Sequence, residues 1–278
     1  MYHQNGTQIF TDTQVGALRM VVAACTLLPF AFKGIRKINS FKTFTALSLV
    51  GLCGNFFPAF LFTYSETGIS SGYAGMLNSC TPLFALLIGT AVFRDRLNTL
   101  QITGVVIGTV GVVLLMLSGQ DLYMTGNWTH IGAVVVATIC YAISLNVIKH
   151  LLPGLKSFEI ASLAFLIILL PSILIACFQG AIHTIQTNEH ALSGLLAIII
   201  LSVFGTAFAL VLFNLLIRMS SVLFASSVTY LIPIVAVIIG LYFGETINLY
   251  QIIAMCIVIT GIFIANVLGK QKNSALSQ

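Results

Sequence analysis

The sequence predicts an all-α integral membrane protein, and three observations carry that prediction. Of 278 residues, 58% are hydrophobic and 7% charged, far too little charge to cover a water-facing surface of this size. The apolar residues gather into stretches long enough for a bilayer core about 30 Å thick, which takes roughly 20 helical residues per crossing. None shows the period-two alternation of a barrel strand. Most charged residues lie between or at the ends of the stretches, and the basic ones gather in every second gap.

Nine spans are read in order: 14–32, 44–64, 70–93, 99–118, 128–148, 158–178, 192–216, 220–243 and 248–268. The first carries Arg19, the one cation inside a span, near its outer end. That guanidinium can snorkel to the surface, or it can attract an anion or a solute carboxylate, with Glu66 as a candidate partner. Span two sets Gly51, Asn55, Phe62 and Glu66 on one narrow stripe, with Pro58 at its edge. Span three does the same with Ala74, Asn78, Pro82, Ala85 and Gly89, and span eight with Ala225, Thr229, Pro233, Ala236 and Gly240. Small residues in such rows let helices approach closely, so the Gly and Ala members read first as packing. Asn78, polar and four residues before a proline, reads at least as readily as part of a solute pathway. Pro82 and Pro233, taken as mid-helix, each predict a bend, either a static kink or the hinge of a moving part. Tyr64, Tyr141, Asn146, Asn214 and Tyr230 complete the candidate pathway residues. For the aromatics among them, interface belting or core packing is the simpler reading.

The loops fix an orientation. Lys33, Arg36, Lys37 and Lys42 lie between spans one and two, and Arg94 and Arg96 between three and four. Lys149 and Lys156 lie between five and six, Arg218 between seven and eight, and Lys270 with Lys272 after the last. The intervening loops hold Glu66, Asp121, Glu189 and Glu245, with no Lys or Arg. The positive-inside rule places the basic loops and the C-terminus in the cytoplasm. The net charge of +5 therefore reports orientation, and no nucleic-acid partner is expected. Six cysteines fall in the spans without Cys-x-x-Cys spacing, so they read as small buried hydrophobes, with no metal site, disulfide or cofactor. Glycosylation triplets begin at Asn5 and Asn127, on the outer side; such triplets are common by chance, and the second hugs the membrane.

The chain also repeats itself. Gly54, Phe62, Ser70, Ala74, Pro82, Ala85 and Gly89 recur 151 positions later as Gly205, Phe213, Ser221, Ala225, Pro233, Ala236 and Gly240. Phe93, Asn98, Gln101, Ile102, Ile107 and Gly111 recur 150 positions later as Phe243, Asn248, Gln251, Ile252, Ile257 and Gly261. The loop with Arg94 and Arg96 has as counterpart one with Glu245 and no cation. Duplication with inverted loop charge is the mark of oppositely oriented membrane repeats. Spans two, three and four match seven, eight and nine; span one pairs with six, Pro29 opposite Pro171; span five has no mate. Inverted copies need an odd number of crossings each. The expected fold is thus a ten-helix, five-plus-five bundle lacking its first helix, with a first repeat at 1–118, a second at 127–269 and a cytoplasmic tail at 270–278. The polar start, Met1 to Thr13, is no signal peptide. Either the chain is a nine-span form with an external N-terminus, or its start lies inside a longer gene; the repeat logic favours the second.

The run from Gly54 to Phe62, followed by that from Gly75 to Gly89, resembles the EamA-type permeases of the drug/metabolite transporter superfamily. So does the run from Phe224 to Ala236 with Gly244 and Glu245, and the segment Ala17 to Met20 is similar to the start of that family's second helix. The resemblance spans nearly the whole chain. It implies two inverted five-helix repeats and transport of a small organic solute through a central cavity.

The function expected is that of a multi-pass permease, an exporter of a small metabolite or amino-acid-like solute, working by alternating access in a plasma membrane, the bacterial inner membrane. Its partners would be that solute, the lipid bilayer and a second copy of itself. No Asp, Glu or His stands at mid-span, so a facilitator, or a carrier without a buried midplane carboxylate, is expected. A non-transporting accessory subunit is the alternative. An enzyme is not expected: the chain lacks His-Glu-x-x-His, a phosphate loop and a carboxylate pair. Gly68, Ser70 and Gly72 spell a nucleophile elbow, but between two spans rather than on a strand-to-helix turn.

Overall fold

Helices form wherever apolar runs meet a cap, because a chain in lipid must satisfy its backbone groups internally. The computed structural model describes residues 9–69, 71–118, 128–235 and 249–265. All the regular structure among them is helical. The glycosylation triplets at Asn5 and Asn127, the span-eight residues Ala236 and Gly240, the loop residues Asp121 and Glu245, and the tail 270–278 lie outside the described residues, as does Ser70. Six helices are long and apolar enough to cross a membrane: Asp12–Phe32, Phe41–Ser65, Ala74–Phe93, Trp128–Leu151, Ser157–Phe178 and Ala191–Met219. Three shorter apolar helices, Thr99–Leu114, Val222–Val235 and Ile252–Phe263, fall within the other three expected spans. Large apolar side chains are exposed on the helix faces, Leu170, Phe178, Leu192, Phe204 and Met219 among them, as lipid contact requires.

The chain divides into two compact units, each drawing on both halves of the sequence. The first comprises Met1–Tyr64 and Val147–Met219. Its α1 (Asp12–Gly34) opens on a capping box in which Thr11 Oγ1 accepts from the Gln14 N–H and Gln14 Oε1 from the Thr11 N–H, which satisfies two orphan donors. Partner α2 (Ser157–Phe178) runs antiparallel to it. Ala17 packs near Ala176, Leu27 and Met20 share a core with Ala161, Phe165 and Ile168, and Gly34 faces Leu163 and Glu159. Both ends of this pair are tied. Gln14 Nε2 donates to the Gln179 carbonyl at 2.8 Å and to Thr184 Oγ1 at 3.1 Å. At the other end Lys37 Nζ donates to both Glu159 carboxylate oxygens at 2.8 and 2.9 Å, while Glu159 also accepts the Lys156 N–H at 2.8 Å. Glu159 is buried; three charge-assisted bonds offset the desolvation of its carboxylate. Helices α3 (Phe41–Ser65) and α4 (Ala191–Met219) complete the unit. α3 lies so close to α2 that a Cβ on Gly51 would stand 2.7 Å from the Ala164 carbonyl oxygen.

The second unit comprises Ser65–Asn146 and Ser220–Gln278. It holds α5 (Ser71–Asn78), α6 (Thr81–Phe93), α7 (Thr99–Ser118), α8 (Val222–Val235), α9 (Leu249–Phe263) and most of α10 (Trp128–Leu151). α7 and α9 cross backbone to backbone. A Cβ on Gly111 would lie 2.7 Å from the Val258 nitrogen, one on Gly104 would meet the Ala265 nitrogen, and one on Gly261 the Gly108 nitrogen. The partners descend along α9 as they ascend along α7, so these two helices are antiparallel. The Gly111–Val258 contact maps onto Gly261–Gly108 when the 150-residue offset is applied to both partners.

Gly111→Ala and Gly132→Ala therefore make a matched pair, because nothing lies within 4 Å of a Cβ at Gly132. The first is expected to lower stability by about 1–3 kcal/mol through backbone collision. The second should leave it unchanged or raise it by up to about 1 kcal/mol. Thermal unfolding of the detergent-purified protein checks both.

Candidate functional site

Polar groups inside a membrane helix need partners, and the partner often shows whether the group serves the fold. Most hydroxyls here serve it: Thr138 donates to the Val134 carbonyl, Ser172 to Ile168 and Ser202 to Ile198, each four residues back. The sequence-predicted pathway residues divide between the units. Arg19, Asn55, Tyr64 and Asn214 belong to the first; Glu66, Asn78, Tyr141, Asn146, Thr229 and Tyr230 to the second.

In the first unit Asn55 lies in a π-turn, Leu52–Phe56, within α3. α4 has one at Val203–Phe208, and the 151-residue offset carries the first onto the second. A π-turn accommodates an extra residue through i→i+5 hydrogen bonds and commonly marks a functional position. The Phe57 N–H donates to Leu52 and the Ala209 N–H to Phe204, each five back. The side chains follow the same register. Asn55 Nδ2 donates to the Val50 carbonyl at 3.3 Å and Thr206 Oγ1 to the Leu201 carbonyl at 3.4 Å, both long bonds over five residues. Asn55 and Thr206 are buried. Thr206 is a residue that sequence reasoning missed, although Gly54 and Gly205, one in each π-turn, were the signal.

Asn214 is fully buried, and its Nδ2 reaches the Ser157 carbonyl at 3.5 Å. Its Oδ1 and the neighbouring Ser157 Oγ are enclosed without a hydrogen-bond partner. Tyr64 is exposed. Arg19 is half-buried, its Nε enclosed and without a partner. Arg19 and Glu66, which the sequence offered as a pair, fall in different units; within the first unit Lys37 pairs with Glu159. Glu66 itself is exposed, in the turn after α3.

In the second unit the expected bend at Pro82 takes another form. The helix stops at Ser79–Cys80 and restarts at Thr81, which puts Pro82 in the first turn of α6, where a missing N–H costs nothing. The matching stretch of α8, Val228–Tyr230, tightens to a 3₁₀ turn shortly before Pro233. The two irregularities touch: Ser79 Oγ lies 2.8 Å from the Thr229 carbonyl and 3.1 Å from that of Gly75. Asn78 is half-buried and receives the Thr81 hydroxyl on its carbonyl. Thr229 Oγ1 donates to Ser226 at 2.8 Å. Asn146 is fully buried, and its Nδ2 donates to the carbonyls of Ala85 at 3.0 Å and Ala142 at 2.9 Å, which pins α10 to α6. Tyr230 is enclosed, its hydroxyl 3.1 Å from both Thr109 Oγ1 and the Val105 carbonyl and its ring over Gly108, so core packing accounts for it. Tyr141 is half-buried. Among the described residues no cluster of His, Cys, Asp or Glu could hold a metal. The cysteines differ from expectation: Cys25, Cys177 and Cys256 are exposed on helix faces and the other three half-buried.

Comparison with known proteins places this arrangement. The sequence pattern of the EamA-like transporter family matches residues 4–117 and 128–267. The chain is 27% identical to the uncharacterized inner membrane transporter YedA of Escherichia coli, over 95% of this chain and 84% of that one. It is 24% identical to a probable amino-acid metabolite efflux pump of Salmonella typhimurium, over 76% and 72%. With a probable terminal-alkyne amino-acid exporter of Streptantibioticus cattleyicolor it shares 22% identity over 94% and 84%. A solved crystal structure superposes with a TM-score of 0.68 at 13% identity, over 94% of this chain and 89% of the other, so the fold is shared.

Asn55→Leu and Thr206→Val each remove the donor that spans a π-turn. Each is expected to cost about 1 kcal/mol of stability, read by denaturation in detergent, with circular dichroism unchanged.

Proposed function

The chain belongs to the EamA-like transporter family, and from that premise we propose that it is a multi-pass permease of the bacterial inner membrane that exports a small, amino-acid-like metabolite by alternating access. The observation that carries the proposal is the antiparallel packing of repeat mates: α1 on α2 in one unit, α7 on α9 in the other. Mates that run in opposite directions are what two oppositely oriented copies, 1–118 and 127–269, require. The family pattern matches twice along the chain, which supports the same division.

Duplicated irregularities support a moving carrier. The π-turns of α3 and α4 recur at one offset, as do the break before Pro82 and the tight turn before Pro233. Each interrupts the regular helical ladder at a defined place, so the helix can bend there with little loss of hydrogen bonding. The named substrates of two relatives favour an amino-acid-like solute, and the relative named as an inner membrane transporter favours that membrane. Basic loops in every second gap favour a cytoplasmic tail, 270–278. Asn55, Asn78, Tyr141, Asn214 and Thr229 are proposed to supply polar contacts along the pathway. Transport rather than catalysis is the activity, in keeping with the family and with the relatives' names.

Reconstituted into proteoliposomes, the protein is expected to exchange labelled amino acids with an internal pool, saturably and well above protein-free vesicles. Well-folded protein that exchanges none of the twenty would contradict the proposal and favour an accessory role.

A further inference from the structure

The π-turns of α3 and α4 and the glycine contacts of α7 and α9 come in repeat-related pairs, and Arg19 does not. With span one set against span six by Pro29 and Pro171, the position matching Arg19 is Ala161, a fully buried small residue. The fold therefore places no demand for a cation at this depth. Arg19 nevertheless stands half-buried inside an apolar helix, its Nε enclosed and unpartnered. No ion pair or hydrogen bond joins its guanidinium to any described residue. A half-buried guanidinium with its Nε enclosed and no counter-charge among the described residues is costly in a membrane, and an anion would meet that need.

Its position on α1 shows where that anion would sit. Gly16 faces Phe60 and Thr63 of α3, whereas Val15 and Leu18 pack with Ala191 and Ile198 of α4. At 100° per residue Arg19 lies about 60° round the helix from Gly16, between the α3-facing and α4-facing stripes. These are the helices that carry the matched π-turns. Glu159, the buried carboxylate of this unit, is already held by Lys37 and the Lys156 N–H. Met20, Phe60 and Leu18 make the surroundings apolar. We infer that Arg19 binds the carboxylate of the transported solute, and that the solute class is a small carboxylate with an apolar remainder. A planar guanidinium offers two parallel N–H donors to the two carboxylate oxygens, a match that a lysine ammonium reproduces only in part.

This inference rests on the transporter reading, and the test separates the two. Counterflow in phosphatidylcholine proteoliposomes would compare L-leucine and the other L-amino acids with their carboxamides, for the wild-type chain, Arg19→Gln and Arg19→Lys. The wild type is expected to move acids at least 10-fold better than their amides. Arg19→Gln should raise KM for the acids at least 10-fold with thermal stability unchanged, and Arg19→Lys should recover part of that loss. Amides carried as well as acids, or an unchanged KM in Arg19→Gln, would overturn the inference while the transporter reading stood. A variant slowed equally toward acids and amides would identify lipid phosphate as the partner of Arg19, and would also overturn it. A wild type that moves no solute would retire both.

Discussion

A bilayer interior offers no hydrogen bonds, and the rest of this structure depends on that constraint. Each polar atom in a span must find its partner within the protein. Ser and Thr hydroxyls turn back onto carbonyls of their own helix, Asn146 bridges α10 to α6, and Tyr230 anchors its hydroxyl on α7. Where the backbone departs from the α-helix, a side chain stands by. Asn55 and Thr206 reach the carbonyls inside their π-turns, and Ser79 spans the break between α5 and α6. Against that background a group left without a partner is informative. Arg19 Nε is such a group, and so are Asn214 Oδ1 and Ser157 Oγ.

Helix association in lipid gains little from the hydrophobic effect, so close backbone contact and a few polar ties must hold the units together. The α7–α9 crossing depends on glycines because a single Cβ would strike backbone. The α1–α2 pair uses a bond at each end, Gln14 to Gln179 and Thr184 and Lys37 to Glu159. Both pairs join repeat mates. In the α7–α9 pair the contacts are self-complementary under the 150-residue offset, Gly111–Val258 exchanging for Gly261–Gly108.

Much of this was legible in the sequence, because composition and loop charge act along the chain. Apolar runs set the helices, and the offset that joins Gly54 to Gly205 identified α3 and α4 as equivalent helices. The π-turns themselves were not legible, since no residue type requires one. Pro82 was read as a mid-helix kink, but a break two residues earlier turns it into a helix-start residue. Long-range ties were hidden for the same reason: Lys37 and Glu159 stand 122 positions apart, and nothing local marks them as partners. Among the pathway candidates, residue type alone did not separate Tyr230, which the fold encloses, from Arg19, whose enclosed Nε has no partner among the described residues.

The account stands on the opposite orientation of the two copies, and the direct measurement is topological. Reporters inserted after Arg36 and after Gln186 mark corresponding loops, the first following span one and the second following its mate, span six. The account predicts that Arg36 reports the cytoplasm and Gln186 the outside. Two reporters on one side of the membrane would contradict it.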